Sequence, residues 1–293
     1  MTSVQIFTNL VHRSFAYYAC RTIKRALFWL ALLVFALWAA FPFYWMFTTS
    51  LRPDRELYSR NVTLLPQDLT LNHYHIEFTR YLYVNRLSNS LIVASATALA
   101  TLAISCLAAF SITRLRYPGR STLARSILLV YLIPSSLLFI PTYTIMSRVN
   151  LNNNLLGLAL TYLSFTVPFC TWMLMGYFKT IPLDLEEAAM IDGCTRFQSF
   201  TKVLLPLALP AIAASGIFSF TLAWNEFLYA LVFITDSKLQ TLPVGLSSHI
   251  QADIYMWGPL MAGSVMASVP IVLIYILAQR VLVQGMLAGA VRG

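Results

Sequence analysis

Six stretches of this chain are long, apolar and free of charge, and nothing else constrains its fold as strongly. They run Ala26–Leu51, Leu87–Thr113, Ser126–Ser147, Val149–Phe178, Val203–Asn225 (continuing past Glu226 to Thr235) and Ile254–Gln279. A helix crossing a bilayer needs about 20 mostly apolar residues. Inside hydrocarbon, every backbone polar group must be satisfied without water, which helices achieve within one segment. The sequence therefore predicts an all-α membrane protein with six transmembrane helices, near 26–48, 88–112, 123–146, 155–178, 207–234 and 259–283. Only 11% of residues are charged, where soluble domains carry about a quarter.

Charge sets the orientation. Arg114, Arg116 and Arg120 follow the second span, Lys179, Arg196 and Lys202 follow the fourth, and Arg280 and Arg292 follow the sixth. The opposite short loops hold only Arg148 and Lys238. Basic loops stay in the cytoplasm, so both termini are expected there. The loop 51–87 holds five arginines and runs against this trend. Residues 1–25 read as a cytoplasmic tail and 26–293 as one membrane domain. The uncharged run from Ala26 exceeds a signal-peptide core of about 7–15 residues and reads as an uncleaved anchor. The net charge of +9 comes without a basic helix or an aromatic-basic sheet motif, so no nucleic-acid partner is expected.

Catalytic and energy-coupling chemistry is sparse. GxxxxGK[ST], HExxH and GxSxG do not occur, so neither a nucleotide site nor hydrolase machinery is expected, and the chain is read as non-enzymatic. Cys20, Cys106, Cys170 and Cys194 form no CxxC pair and read as apolar fillers. His73, His75 and Glu77 share a face only in an extended strand. A solvated loop is the preferred reading, and no metal is assigned. Glu226 is the one acid within the spans. From a helix start near Leu207 it would lie about 28 Å along, close to the outer interface. Ion-driven transporters rely on buried carboxylates or broken helices. This chain shows no convincing engine of its own, so its energy is expected from another chain.

The loop 180–206 breaks the apolar pattern. Pro182 suits the first turn of a helix, and Asp184, Glu186 and Glu187 suit the positive end of its dipole. Ala188 and Ala189 favour helix, and Gly193 can end it in the left-handed conformation. Thr195 and Gln198 form a capping box for a second helix. Phe197, Phe200 and Leu204 share one face of that helix by spacing. Pro206 marks the passage into the fifth span. An interfacial helix prefers bases on its polar face. The first of these helices is acidic, which fits a protein partner.

Glu187-Ala188-Ala189, then Gly193, Val203 and Leu205-Pro206 at their spacings resemble the EAA loop of bacterial ABC importer permeases, with Val203 in place of isoleucine. "NSLIVASATAL", "WNEFLYALVF" and "QRVLVQGMLAGAVRG" are similar to carbohydrate importer permeases of the maltose type, in particular their second, six-span chain. The likeness runs from about Ala26 to the end. It implies a type I ABC importer permease fold in the bacterial inner membrane. It also implies that Glu187, Ala188, Ala189, Asp192, Gly193, Phe197, Phe200, Leu205 and Pro206 form an ATPase-coupling element. The implied partners are a second permease forming a heterodimer, two ATPase subunits that bind the ATP and Mg, an extracytoplasmic solute-binding protein and a sugar, all in a lipid bilayer. No cofactor is implied in this chain itself. The C-terminal Gly289, Arg292 and Gly293 would reach toward the ATPases. Trp224, Asn225, Glu226 and Tyr229 are candidates for the sugar path or an external gate, or for bonds to the partner permease. A permease for glycerol-3-phosphate or another polar solute, an ion-coupled secondary transporter, and a structural membrane protein are the alternative readings.

Overall fold

Small and hydroxyl-bearing residues decide how the spans meet. In the computed structural model, residues 3–61, 63–251 and 254–290 are described, with side chains over 21–61, 63–250 and 255–279. Helix α4 (Tyr83–Arg114) buries Ser90, Ala94, Thr97, Thr101, Ser105 and Ala109 along one stripe. Residues three or four apart lie on one face, and their small size lets a neighbouring backbone approach. Against this stripe pack α7 (Leu155–Phe178) and α11 (Leu209–Trp224). The Thr101 and Thr166 hydroxyls meet at 2.7 Å across the α4–α7 seam.

Two buried clusters fill the bundle. One joins the first half of α4 with Leu158, Tyr162, Trp224, Tyr229 and Phe233. The other joins its second half with Leu174, Phe178, Phe200 and Leu204. Helix α1 (Ser3–Ser50) and α14 (Trp257–Ala290) lie against each other at the periphery. The stretch read as a tail, 1–25, is thus helical from Ser3 onward and continuous with the first span. From Arg21 to Tyr44 every α1 side chain is exposed, as hydrocarbon-facing residues are in a single chain.

Two expected spans differ from straight helices. The third is a broken pair, α5 (Arg120–Tyr131) and α6 (Ser135–Arg148), bent by 102°. Pro134 stands at the break, because its ring disfavours helix in the preceding residue and removes a donor. The fifth was expected near 207–234. Its helix α11 starts after a 77° bend and ends at Trp224. A separate short helix, α12 (Leu228–Phe233), follows. Glu226 therefore lies in a break rather than 19 residues along a helix.

The segment between the first two spans carries α2 (Asp54–Leu57) and α3 (Asn72–Arg80). The expected solvated loop at 73–77 is α3 instead. In a helix, residues 73 and 77 share a face and 75 does not. His73 and Glu77 are buried while His75 is exposed. His73 Nε2 lies 2.7 Å from the Arg52 carbonyl, and Glu77 Oε1 lies 2.5 Å from His249 Nε2. Among the described residues, no group of three His, Cys, Asp or Glu could hold a metal. Helix α13 (Leu242–Ser247) and a two-residue hairpin, Ile250–Gln251 with Ile254–Tyr255, complete this end.

Candidate functional site: the polar loop at the bundle end

The loop after α7 folds as two short helices, α8 (Asp184–Ile191) and α9 (Arg196–Ser199). Local chemistry explains the turn between them. The Cys194 N–H donates to the Ala189 carbonyl at 3.0 Å and the Gly193 N–H to the Met190 carbonyl at 3.2 Å. This pair of bonds is a Schellman cap, with Gly193 at φ +91° in its left-handed position. Thr195 then opens α9. Its hydroxyl accepts from the Gln198 N–H at 3.2 Å, and the Gln198 side chain accepts from the Thr195 N–H at 2.8 Å. A π-helical turn, Phe200–Leu204, and α10 (Leu205–Leu207) lead into α11.

This loop is fastened to the bundle by a contact that the sequence did not announce. Arg114, the last residue of α4, donates from Nε to Glu186 Oε1 at 2.6 Å. Its Nη2 donates to the carbonyls of Phe178 and Ile181, both at 2.9 Å. The two side chains are only 7% and 8% exposed. One guanidinium thus ties together the end of α4, the end of α7 and the first turn of α8. The Ser199 hydroxyl adds a bond to the Glu186 carbonyl at 3.4 Å. Phe200 packs on Phe110 of α4, with ring centroids 4.5 Å apart.

The candidate coupling residues divide accordingly. Glu187, Ala188, Asp192, Gly193, Phe197 and Pro206 are exposed, and Ala189 and Leu205 are half-buried. Phe197 is 64% exposed, whereas Phe200 is 3% and Leu204 0% exposed. The expected common face of these three is therefore split. Phe200 and Leu204 turn inward as anchors in the cluster with Leu174 and Phe178, and Phe197 stays outside it.

The second group of candidates also divides. Trp224 and Tyr229 are buried in the core, Asn225 is exposed and Glu226 is half-buried. Glu226 accepts from the Tyr162 hydroxyl at 2.9 Å and from the N–H groups of Tyr229 at 2.9 Å and Ala230 at 3.1 Å. It is the acceptor that closes the break before α12, where a carboxylate also suits the dipole. The Tyr229 hydroxyl donates to the Ser135 carbonyl at 2.7 Å, joining this break to the one in α5–α6. Glu226→Ala is expected to destabilise the chain by about 1–3 kcal/mol, since three donors lose their acceptor. Glu226→Gln, which keeps a carbonyl, is expected to lose less. Thermal unfolding of the detergent-solubilised protein checks this order. Gly289 lies on α14, and Arg292 and Gly293 lie outside the described residues.

Comparisons with known proteins extend these observations. Residues 101–288 match the family described as "Binding-protein-dependent transport system inner membrane component". The chain is 35% identical over 275 residues to the inner membrane ABC transporter permease protein YcjP of Escherichia coli, covering 93% of this chain and 98% of that one. It is 33% identical over 280 residues to the trehalose/maltose transport system permease protein MalG of Thermococcus litoralis, covering 92% and 98%. It is 35% identical over 253 residues to the diacetylchitobiose uptake system permease protein DasC of Streptomyces coelicolor, covering 86% and 92%. Among solved structures, a chain of a bacterial ABC transporter involved in alginate import superposes with a TM-score of 0.76. It shares 23% identity, with 88% of this chain and 96% of that chain covered, and shows the same fold.

Proposed function

The chain belongs to the family of binding-protein-dependent transport system inner membrane components, as an ABC transporter permease, and on that premise we propose that it is one wall of the path in an ATP-driven sugar importer. The observation that carries this reading is the exposed α8–α9 turn held rigidly to the span ends by Arg114 and Glu186. A turn that is both exposed to a partner and stiffly bound to two spans can convert a partner's movement into rotation of those spans. Its exposed Glu187, Ala188, Asp192, Gly193 and Phe197 form the docking surface for an ATPase subunit.

In this mechanism a second permease completes the path, and a solute-binding protein delivers the sugar outside. Two ATPase subunits below bind ATP and Mg. Their closure on ATP lifts the coupling turns and rocks the permeases toward the outside, and hydrolysis resets them. The chain supplies no catalytic group. The basic loops at the ends of α4 and α7 support a cytoplasmic position for the turn and both termini. Relatives named for trehalose, maltose and diacetylchitobiose transport support a saccharide as cargo.

The test is co-purification of the tagged chain from membranes, followed by ATPase and uptake assays in proteoliposomes. A P-loop ATPase and a second permease are expected in the eluate, with labelled trehalose or maltose accumulating only when ATP is enclosed. Uptake that follows an ion gradient and needs no ATPase would overturn the reading.

A further inference from the structure

A polar cavity of about 500 Å³ lies between the end of α4, the start of α5 and the α8–α9 turn. Its lining includes Arg114, Arg116, Arg120 and Arg196, with Glu186 and Glu187. Arg114 and Glu186 neutralise each other. Among the described residues, Arg120 is engaged only with the Leu115 carbonyl, at 3.1 Å. Arg116 and Arg196 have no carboxylate partner among the described residues, and neither does Glu187. Three guanidiniums thus face one unpaired carboxylate. Helix α5 starts at Arg120 with no acid in its first turn and no side-chain cap, so its free N–H groups add to the positive field. The charges are arranged to receive an anion.

Depth and neighbouring surface say which anion. Arg114 ends α4 and bonds the carbonyl of Phe178, which ends α7. The cavity therefore sits at the end of the bundle where α4 and α7 both finish. Phe110 forms part of its wall, and α5 runs on from it with Leu123, Leu128 and Leu129 exposed. A free phosphate has no use for that apolar continuation, whereas acyl chains do. Of the residues proposed to dock an ATPase subunit, Glu187 lines the cavity, and Ala188, Asp192, Gly193 and Phe197 do not. We propose that this cavity binds the phosphodiester headgroup of an anionic phospholipid, with Arg116, Arg120 and Arg196 as its ligands. Basic pockets between spans near a membrane surface bind such headgroups. Because Glu187 and Arg196 belong to the α8–α9 segment, a bound headgroup braces that segment against the α4–α5 turn.

The experiment uses the purified permease complex in nanodiscs of phosphatidylcholine with graded phosphatidylglycerol. Retained lipid is read by native mass spectrometry, and protection of 184–199 by hydrogen exchange. Wild type is expected to retain phosphatidylglycerol and to gain protection as its fraction rises. Retention is expected to fall about fivefold for each of Arg116→Gln and Arg196→Gln, and to persist in the Arg→Lys pair, which keeps the charge. Undiminished retention in the glutamine variants overturns the proposal. So does displacement of the lipid by millimolar inorganic phosphate, which identifies a free-phosphate site. Loss of the ATPase subunits with lipid retention unchanged also overturns it and assigns the arginines to an acidic protein surface. Lipid retention is measurable on the permease alone, so absence of an ATPase in the eluate counts against the import reading and not against this one.

Discussion

Arg114→Ala is expected to release the coupling turn from the bundle and to abolish uptake while the complex still reaches the membrane. The substitution leaves the Glu186 carboxylate buried without its partner, and it frees the Phe178 and Ile181 carbonyls. Removing one partner of a buried pair costs about 3–5 kcal/mol. That cost concentrates where the pair acts, at the join of α4, α7 and α8. Limited proteolysis within 180–206 should therefore quicken well before global unfolding changes. Arg114→Lys restores a charge but not the fork that spans one carboxylate and two carbonyls, and should rescue poorly. Arg114→Met combined with Glu186→Leu removes both charges and should regain much of the lost protection. Wild-type proteolysis and uptake in Arg114→Ala would show that the turn is held by other contacts.

Gly193→Val is expected to lower uptake by about tenfold or more through the backbone alone. A Cβ at this position meets nothing within 4 Å, so no clash is created. The φ of +91° is the difficulty. A β-branched residue there costs roughly 1–2 kcal/mol, and escape from the strain re-aims the Schellman turn. One or two kcal/mol does not unfold a membrane bundle, but a redirected turn would no longer fit the proposed ATPase partner. Gly193→Asn is the discriminating control, because asparagine tolerates the left-handed region. Near-normal uptake in Gly193→Asn with loss in Gly193→Val assigns the role to backbone geometry. Equal loss in both assigns it to the open surface that the glycine leaves.

The α8–α9 turn was legible because its signals are local. Gly193 stands nine residues after Asp184, and Thr195 stands three before Gln198. Each acts on backbone groups within one helical turn. The Arg114–Glu186 clamp has no such signal. The two residues are 72 positions apart, and each had a sufficient separate explanation, as an inside-positive charge and as an acid near a helix start. The same holds for Glu226, whose donors include Tyr162, 64 positions away. Read as a helical residue of one long span, it had no reason to be a cap. Phe197 and Phe200 were read as one face from their spacing, but Phe200 is buried against Phe110 of α4 while Phe197 stays exposed, a difference set by a residue 90 positions away.

The membrane class, the approximate places of the spans and the two-helix form of the polar loop were determined by the sequence itself. Apolar run length, helix caps and left-handed glycine act over a few residues and depend little on the rest of the chain. Where the third and fifth spans break, which residues of the polar loop face outward, and what fastens the loop to the bundle were decided only by tertiary structure. In a medium without water, a broken backbone or a buried charge persists only where a distant side chain supplies its partner. Those partners, Arg114 for Glu186 and Tyr162 for Glu226, become neighbours only once the helices pack.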